Sequence, residues 1–207
     1  MGLMMRLIVA LATVVGDILE AFFVPLPLAL AVAVVVTLAP FVWCQHAAHV
    51  RGALFAGARA WATALRGDAA LRGEGALVTF VMLVASRTLM GRGYWSDPLC
   101  VLWEGWGLHD SNGDFTGEGF ENLLLLMPVA VALLDVLLRR HASRHPLARA
   151  IVSVGVLSLL IEACQLVLHV GTFQVADLTY NTLGGALAAA GYWHWWKRHH
   201  DKGESRG

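Results

Sequence analysis

Charge is scarce in this sequence. Only 14% of its 207 residues are Asp, Glu, Lys or Arg, against about 25% in an average soluble domain. Hydrophobic residues make up 57%, and mean hydropathy is +0.63. A chain this poor in charge cannot hide its apolar surface in a water-soluble core. Its 15 cations balance its 15 acids, so nothing in the net charge draws in nucleic acid. Three cysteines, Cys44, Cys100 and Cys164, stand far apart and lack metal-ligand spacing. Glycine-rich phosphate loops, nucleophile elbows and zinc motifs are missing. His46 and His49 lie at i, i+3, and His199 and His200 are adjacent. Neither pair has a convergent carboxylate, so no metal site and no cofactor are expected. No internal repeat is visible, which removes sequence support for an inverted-repeat transporter.

What remains is an integral membrane protein of all-α class, a polytopic transmembrane helical bundle. Six apolar segments can be marked, at residues 3–23, 26–44, 76–90, 123–138, 147–170 and 178–196. Each is near the roughly 20 residues that a spanning helix needs. Only Val24-Pro25-Leu26-Pro27 divides the first two. Proline disfavours helix continuation, so a tight turn is the simplest reading. One long kinked element is the alternative, and it reduces the count to five. No Ala-x-Ala-like cleavage site ends the first run, so it reads as a retained anchor.

The charges set an expected orientation. Arg51, Arg59, Arg66 and Arg72 lie between the second and third segments. Arg139, Arg140, Arg144 and Arg149 lie between the fourth and fifth, and Lys197, Arg198, Lys202 and Arg206 follow the last. These belong on the cytoplasmic side. Asp97, Glu104, Asp110, Asp114 and Glu118, with Arg92, lie between the third and fourth and face outward. Six spans then leave both termini cytoplasmic. Arg51, Arg59 and Arg66 recur every two helical turns, with Leu54, Phe55, Trp61 and Leu65 between them. That pattern fits either an amphipathic helix on the inner leaflet or a solvated basic loop. Trp193, Trp195 and Trp196 ahead of Lys197-Arg198 fit an interfacial aromatic belt. The expected organisation is residues 1–75, two spans plus a basic segment; 76–196, a four-span domain; and 197–207, a basic tail.

A polar quartet interrupts the apolar C-terminal half. Ser158, Glu162, Gln165 and His169 step by 4, 3 and 4, and Asp177 and Asn181 step by 4. Each set shares a helix face. A carboxylate in hydrocarbon costs about 2.5–3.5 kcal/mol on insertion scales, so such groups either pair inside the bundle or act there. Glu121 and Asn122 at the outer end of the fourth span fall at the same depth, and Arg87 near the outer end of the third is a candidate partner. Structural readings stand beside the functional one. Gln165 and Asn181 can glue helices, Asp177 can cap one, Glu121 can answer a helix dipole, and Arg87 can snorkel to the interface. Gly184, Ala188 and Gly191, with Gly185 and Ala189 beside them, would let the fifth and sixth spans pack closely as an antiparallel hairpin.

The pattern Ser158-x-x-x-Glu162-x-x-Gln165, a short turn, then Asp177-x-x-x-Asn181-Thr-x-Gly184 resembles the VanZ-like family of bacterial membrane proteins. Ile161-Glu162 matches that family's Ile-Glu pair. Glu121-Asn122 and the apolar run ending at Pro128 resemble its earlier element, and Thr88-Leu89 is a weaker echo, with Gly91 where proline is common. Thr172 and Gln174 stand where the family often carries an arginine and an aspartate, and Arg87 and Arg92 are the candidate substitutes. The resemblance covers roughly residues 76–196. It implies a bacterial cytoplasmic membrane and an envelope role linked to low-level teicoplanin resistance, but it does not supply a reaction.

Four functions compete at this stage. The first is a pocket binding or handling a membrane lipid, a cell-wall lipid precursor or a lipoglycopeptide. The second is an intramembrane enzyme on a lipid headgroup, for which no nucleophile or metal is evident. The third is a small proton-coupled transporter or flippase, and the fourth a structural or partner-binding module. Oligomeric state is left open.

Overall fold

The structure is a computed structural model that describes residue 16 and residues 23–90, 92–107 and 117–204. The first expected span, residues 3–23, lies almost wholly outside these, as do Gly91, Asp110, Asp114 and Arg206. Among the described residues seven helices follow one another: α1 Leu26–Ala47, α2 Ala53–Gly67, α3 Ala69–Leu89, α4 Glu118–Leu125, α5 Met127–Arg139, α6 Pro146–Leu168 and α7 Val175–Glu204.

Prolines mark several of the starts. Pro27, Pro128 and Pro146 sit in the first turns of α1, α5 and α6, where a missing N–H costs little. Pro128 also denies the Leu124 carbonyl its donor. That is why one apolar unit, Glu118–Arg139, is broken at Leu126 into α4 and α5. Asp68 starts α3 by accepting the amides of Ala70 (2.8 Å) and Leu71 (3.2 Å), so the helix begins at Ala69 rather than at residue 76. Residues read as part of a cytoplasmic segment thereby become its first turns.

Among the described residues four units are long and apolar enough to cross a membrane: Leu26–Ala47, Ala69–Leu89, Glu118–Arg139 and Pro146–Leu168. The sixth expected span lies within α7. Asp177, Tyr180, Asn181, Gly184 and Gly185 leave that helix less apolar than the four. Large apolar side chains are exposed along α1 and α6, including Leu28, Val35, Val152, Leu160 and Val167, as lipid-facing surfaces require.

The basic segment is helical. Buried Gly57 of α2 packs so closely on α1 that a Cβ there would meet the Val42 Cα at 2.7 Å. Trp61 Nε1 donates to Thr37 Oγ1 at 3.2 Å. Arg51, Arg59 and Arg66 are exposed. α1 in turn packs on α3, and α3 on α5. Helix α7 is the centre of the other half, in contact with α4, α5 and α6. The core between them is Leu126, Val129, Ala130, Leu134, Val154 and Ala189. This apolar layer separates two polar ends.

Small residues in α7 split between two partners. A Cβ at Gly185 would lie 2.5 Å from Val154 Cγ1 of α6, as the expected hairpin requires. A Cβ at Gly184 would strike the Leu123 carbonyl of α4 instead. Among the described residues a Cβ at Gly191 would meet nothing within 4 Å. Spacing places small residues on a face; here two neighbouring helices, α4 and α6, take adjacent parts of that face.

Candidate functional site

Helix α6 carries Ser158, Glu162 and Gln165 on one face, and the first turns of α7 carry Asp177 and Asn181 on theirs. The turn between these helices brings the faces together. His169 ends α6 in the left-handed region (φ 53), and Gly171 follows at φ 143, a conformation that favours glycine. The resulting cluster is buried: Ser158 is 0% exposed, Glu162 2%, Asn181 2%, Gln165 3% and Asp177 9%.

Each bonded group ties two elements. Glu162 Oε2 accepts the Gln174 amide at 3.0 Å, at the start of α7, where the helix dipole favours a carboxylate. Asp177 Oδ1 accepts Asn122 Nδ2 at 2.6 Å, joining α7 to α4. Gln165 Nε2 donates to the Thr88 carbonyl at 3.0 Å, which satisfies an acceptor in the last turn of α3. Arg87 pairs with Glu121 at 3.2 Å, so its partner is the flanking glutamate rather than Glu162 or Asp177. Ser158 Oγ, Gln165 Oε1, Gln174 Oε1 and Asn181 Oδ1 are buried without a hydrogen-bond partner among the described residues.

His169 is the sequence-chosen residue that leaves the cluster. Helix α6 stops at Leu168, so the four-residue step that would place His169 beside Gln165 no longer holds. Its ring stacks on Tyr94 (centroids 5.4 Å, 24°) and its Nδ1 lies 2.8 Å from the Trp95 carbonyl, exposed to solvent.

The segment 92–107 folds back over this end. Trp95 N donates to the His169 carbonyl (3.0 Å), Phe173 N to Pro98 (2.9 Å) and Val175 N to Leu102 (3.1 Å). Gly105, at φ 82, lies so close to Gln174 that a Cβ would collide with its side-chain oxygen. Arg92, an exposed residue at the start of this segment, reaches the turn between α6 and α7. A Cβ at Gly171 would lie 3.5 Å from both Arg92 Nη1 and Gln165 Cδ, and Arg92 acts electrostatically on Glu162 and Asp177. Arg92 therefore occupies the neighbourhood of the turn that holds Thr172 and Gln174. Beside it a cavity of about 60 Å³ is lined by Arg87, Thr88, Arg92, Glu118, Glu121 and Asn122. That is room for small molecules such as water.

Sequence reasoning missed Asp135, within the fourth expected span. It accepts Arg139 Nε on both oxygens at 2.8 Å and Tyr192 OH at 2.5 Å. Its position four residues before Arg139 was the available signal. This network lies at the opposite end from Glu162. Among the described residues no three of His, Cys, Asp and Glu converge as a metal ion needs.

The fold and site together define an all-helical membrane protein with a buried acid and amide cluster built on a helical hairpin. The model of the VanZ/LLP1 family matches residues 69–197, more than half of the chain. The chain belongs to the VanZ-like family. No curated protein and no solved structure gives a significant match.

Proposed function

We propose that the Glu162 end of the bundle is an outer-leaflet binding site for the polar head of an envelope amphiphile. The ligand class is a membrane lipid, a cell-wall lipid precursor or a lipoglycopeptide, and the setting is a bacterial cytoplasmic membrane with both termini inside. The observation that carries this reading is the set of four buried side-chain oxygens, without a hydrogen-bond partner among the described residues, beside two carboxylates. Each such group leaves about 1–3 kcal/mol of desolvation uncompensated. A headgroup rich in hydroxyl or amino donors supplies what these acceptors lack. Arg92 holds the cationic corner of the site, in the place of the arginine that Thr172 and Gln174 do not provide. The cavity of about 60 Å³ requires segment 92–107 to swing aside before a headgroup enters. Three backbone hydrogen bonds hold that segment, each worth about 1 kcal/mol.

The family association makes teicoplanin tolerance the phenotype to measure. Glu162→Gln and Asn181→Ala are expressed in a susceptible bacterial host at wild-type membrane levels. The expected result is loss of tolerance at unchanged protein level. Full tolerance in both variants refutes the site. The small cavity supports a second reading, a structural module whose polar network only joins helices. In that case tolerance and protein level fall together, in proportion.

A further inference from the structure

The segment that covers the Glu162 end has an outer side as well as an inner one. Six large apolar or aromatic side chains stand exposed between residues 90 and 106: Met90, Tyr94, Trp95, Leu99, Trp103 and Trp106. Tyr94 is 76% exposed and Trp103 71%. Single apolar residues on a surface are ordinary, but a dense run of them marks a contact. The bonds that hold the segment to the bundle come from its main chain. Beyond the three to residues 169–175, the Gly107 amide donates to the Tyr180 hydroxyl at 3.2 Å.

Both ends of the run meet exposed apolar surface of the bundle. Tyr94 stacks on His169, next to Val167 and Leu168, the exposed apolar end of the candidate span α6. Trp106 lies against Tyr180 of α7, ring centroids 6.0 Å apart. Tyr180 heads a stripe at helical spacing that continues through the exposed Leu183 and Leu187. The aromatic rings thus prolong the apolar skin of two helices at the level where that skin ends. Indole and phenol rings, apolar in body and polar at one tip, favour the headgroup layer of a bilayer. Depth is limited from the other direction. Asp97 and Glu104 stand exposed among the rings, and a carboxylate entering hydrocarbon is costly. The segment can rest in the interface but not sink below it.

We infer that segment 92–107 is an interfacial anchor, with Tyr94, Trp95, Trp103 and Trp106 seated among the lipid headgroups of the leaflet at the Glu162 end. Its partner is the bilayer surface. The anchor stands whatever ligand binds beneath it.

The test uses the full chain in vesicles of phosphatidylglycerol and phosphatidylcholine. Cys44, Cys100 and Cys164 are exposed and are changed to alanine. A nitroxide is then attached through Trp103→Cys, Trp106→Cys, Val156→Cys or Arg144→Cys. Val156 is exposed midway along α6 and Arg144 in the turn before it, so these two report lipid and water. In power-saturation spectra, labels at positions 103 and 106 should fall between them. Oxygen should reach these labels better than at the Arg144 position, and a water-soluble nickel chelate better than at the Val156 position. Access to the chelate equal to that at the Arg144 position overturns the anchor. So does shielding from both reagents, which places the rings under another protein or a second copy. Tryptophan emission of the unlabelled chain is the second measurement and needs no cysteine change. Trp103→Phe with Trp106→Phe removes part of that emission, and lipid brominated near the headgroup end of its acyl chains should quench the same part in wild type. Unquenched emission overturns the inference. Glu162→Gln should leave both readings as in wild type, which separates the anchor from the ligand site it covers.

Discussion

Gly184→Ala is the sharpest probe of how α7 is seated. A methyl there would lie 2.7 Å from the Leu123 carbonyl carbon and 3.2 Å from its Cα, and would collide with the oxygen, whereas ordinary contact begins near 3.4 Å. The obstacle is backbone, so no side chain can turn away. Helix α4 must retreat by roughly 1 Å or more, with an overpacking cost of about 1–3 kcal/mol. Asn122 precedes Leu123, so the retreat also strains its 2.6 Å bond to Asp177. Against this, alanine in a helix gains up to about 1 kcal/mol over glycine. The net expectation is a loss of about 0–2 kcal/mol, to which the strained Asn122 bond adds. Gly191→Ala is the matched control: no atom of the described residues lies within 4 Å of its added methyl, so it keeps the propensity gain alone. Thermal unfolding of both variants in one detergent, followed by tryptophan fluorescence, should move in opposite directions from wild type. Should Gly184→Ala melt at or above the wild type, the close α4–α7 seat is wrong.

Two further outcomes follow. The Leu71 amide first, then the Ala70 amide and the Arg140 guanidinium, hold the Asp68 carboxyl below its ordinary value of 3.8, with desolvation opposing them. A lowered folded-state pKa stabilises the fold above the unfolded value and is lost as pH falls through the folded one. Asp68→Ala should therefore melt below wild type near neutral pH, and the gap should close only below about pH 4; a gap independent of pH excludes the charged cap. The orientation is checked by cysteine labelling. Cys100 is exposed in the segment that covers the Glu162 end, and Cys44 lies near the other end of α1. With single-cysteine chains in intact cells, a membrane-impermeant maleimide should reach Cys100 and spare Cys44; the reverse pattern inverts the topology.

The polar hairpin was legible because its periodicity is strict. Ser158, Glu162 and Gln165 at helical spacing, and Asp177 and Asn181 one turn apart, can only line one face each, and a short turn forces the faces together. His169 obeyed the same count and yet lies outside, because a left-handed residue ended the helix first. The contribution of the Gln174 amide was not legible, and Arg92 was reached only through the family resemblance, as one of two candidate substitutes. Both depend on the path of segment 92–107, which has no repeating pattern to read. The small residues of α7 announced close packing, but spacing alone names a face and not the neighbour that fills it. Asp68 is a lone acid between Arg66 and Arg72 in a basic stretch. Its meaning came from position, immediately before a helix. Asp135 was overlooked because an otherwise apolar run reads as a span even with one acid inside it.

Helix α7 is a single rod of 30 residues. From Asp177 to Trp196 it rises roughly 28 Å at the standard 1.5 Å per residue, enough to link both faces of the bilayer. Midway, Gly184 lies against the α4 backbone and Gly185 against Val154 of α6, so the shaft is notched into two neighbours at once. One continuous helix therefore holds Asp177 against Asn122 at one end of the bundle and Tyr192 against Asp135 at the other, so both polar networks take their register from a single piece of chain.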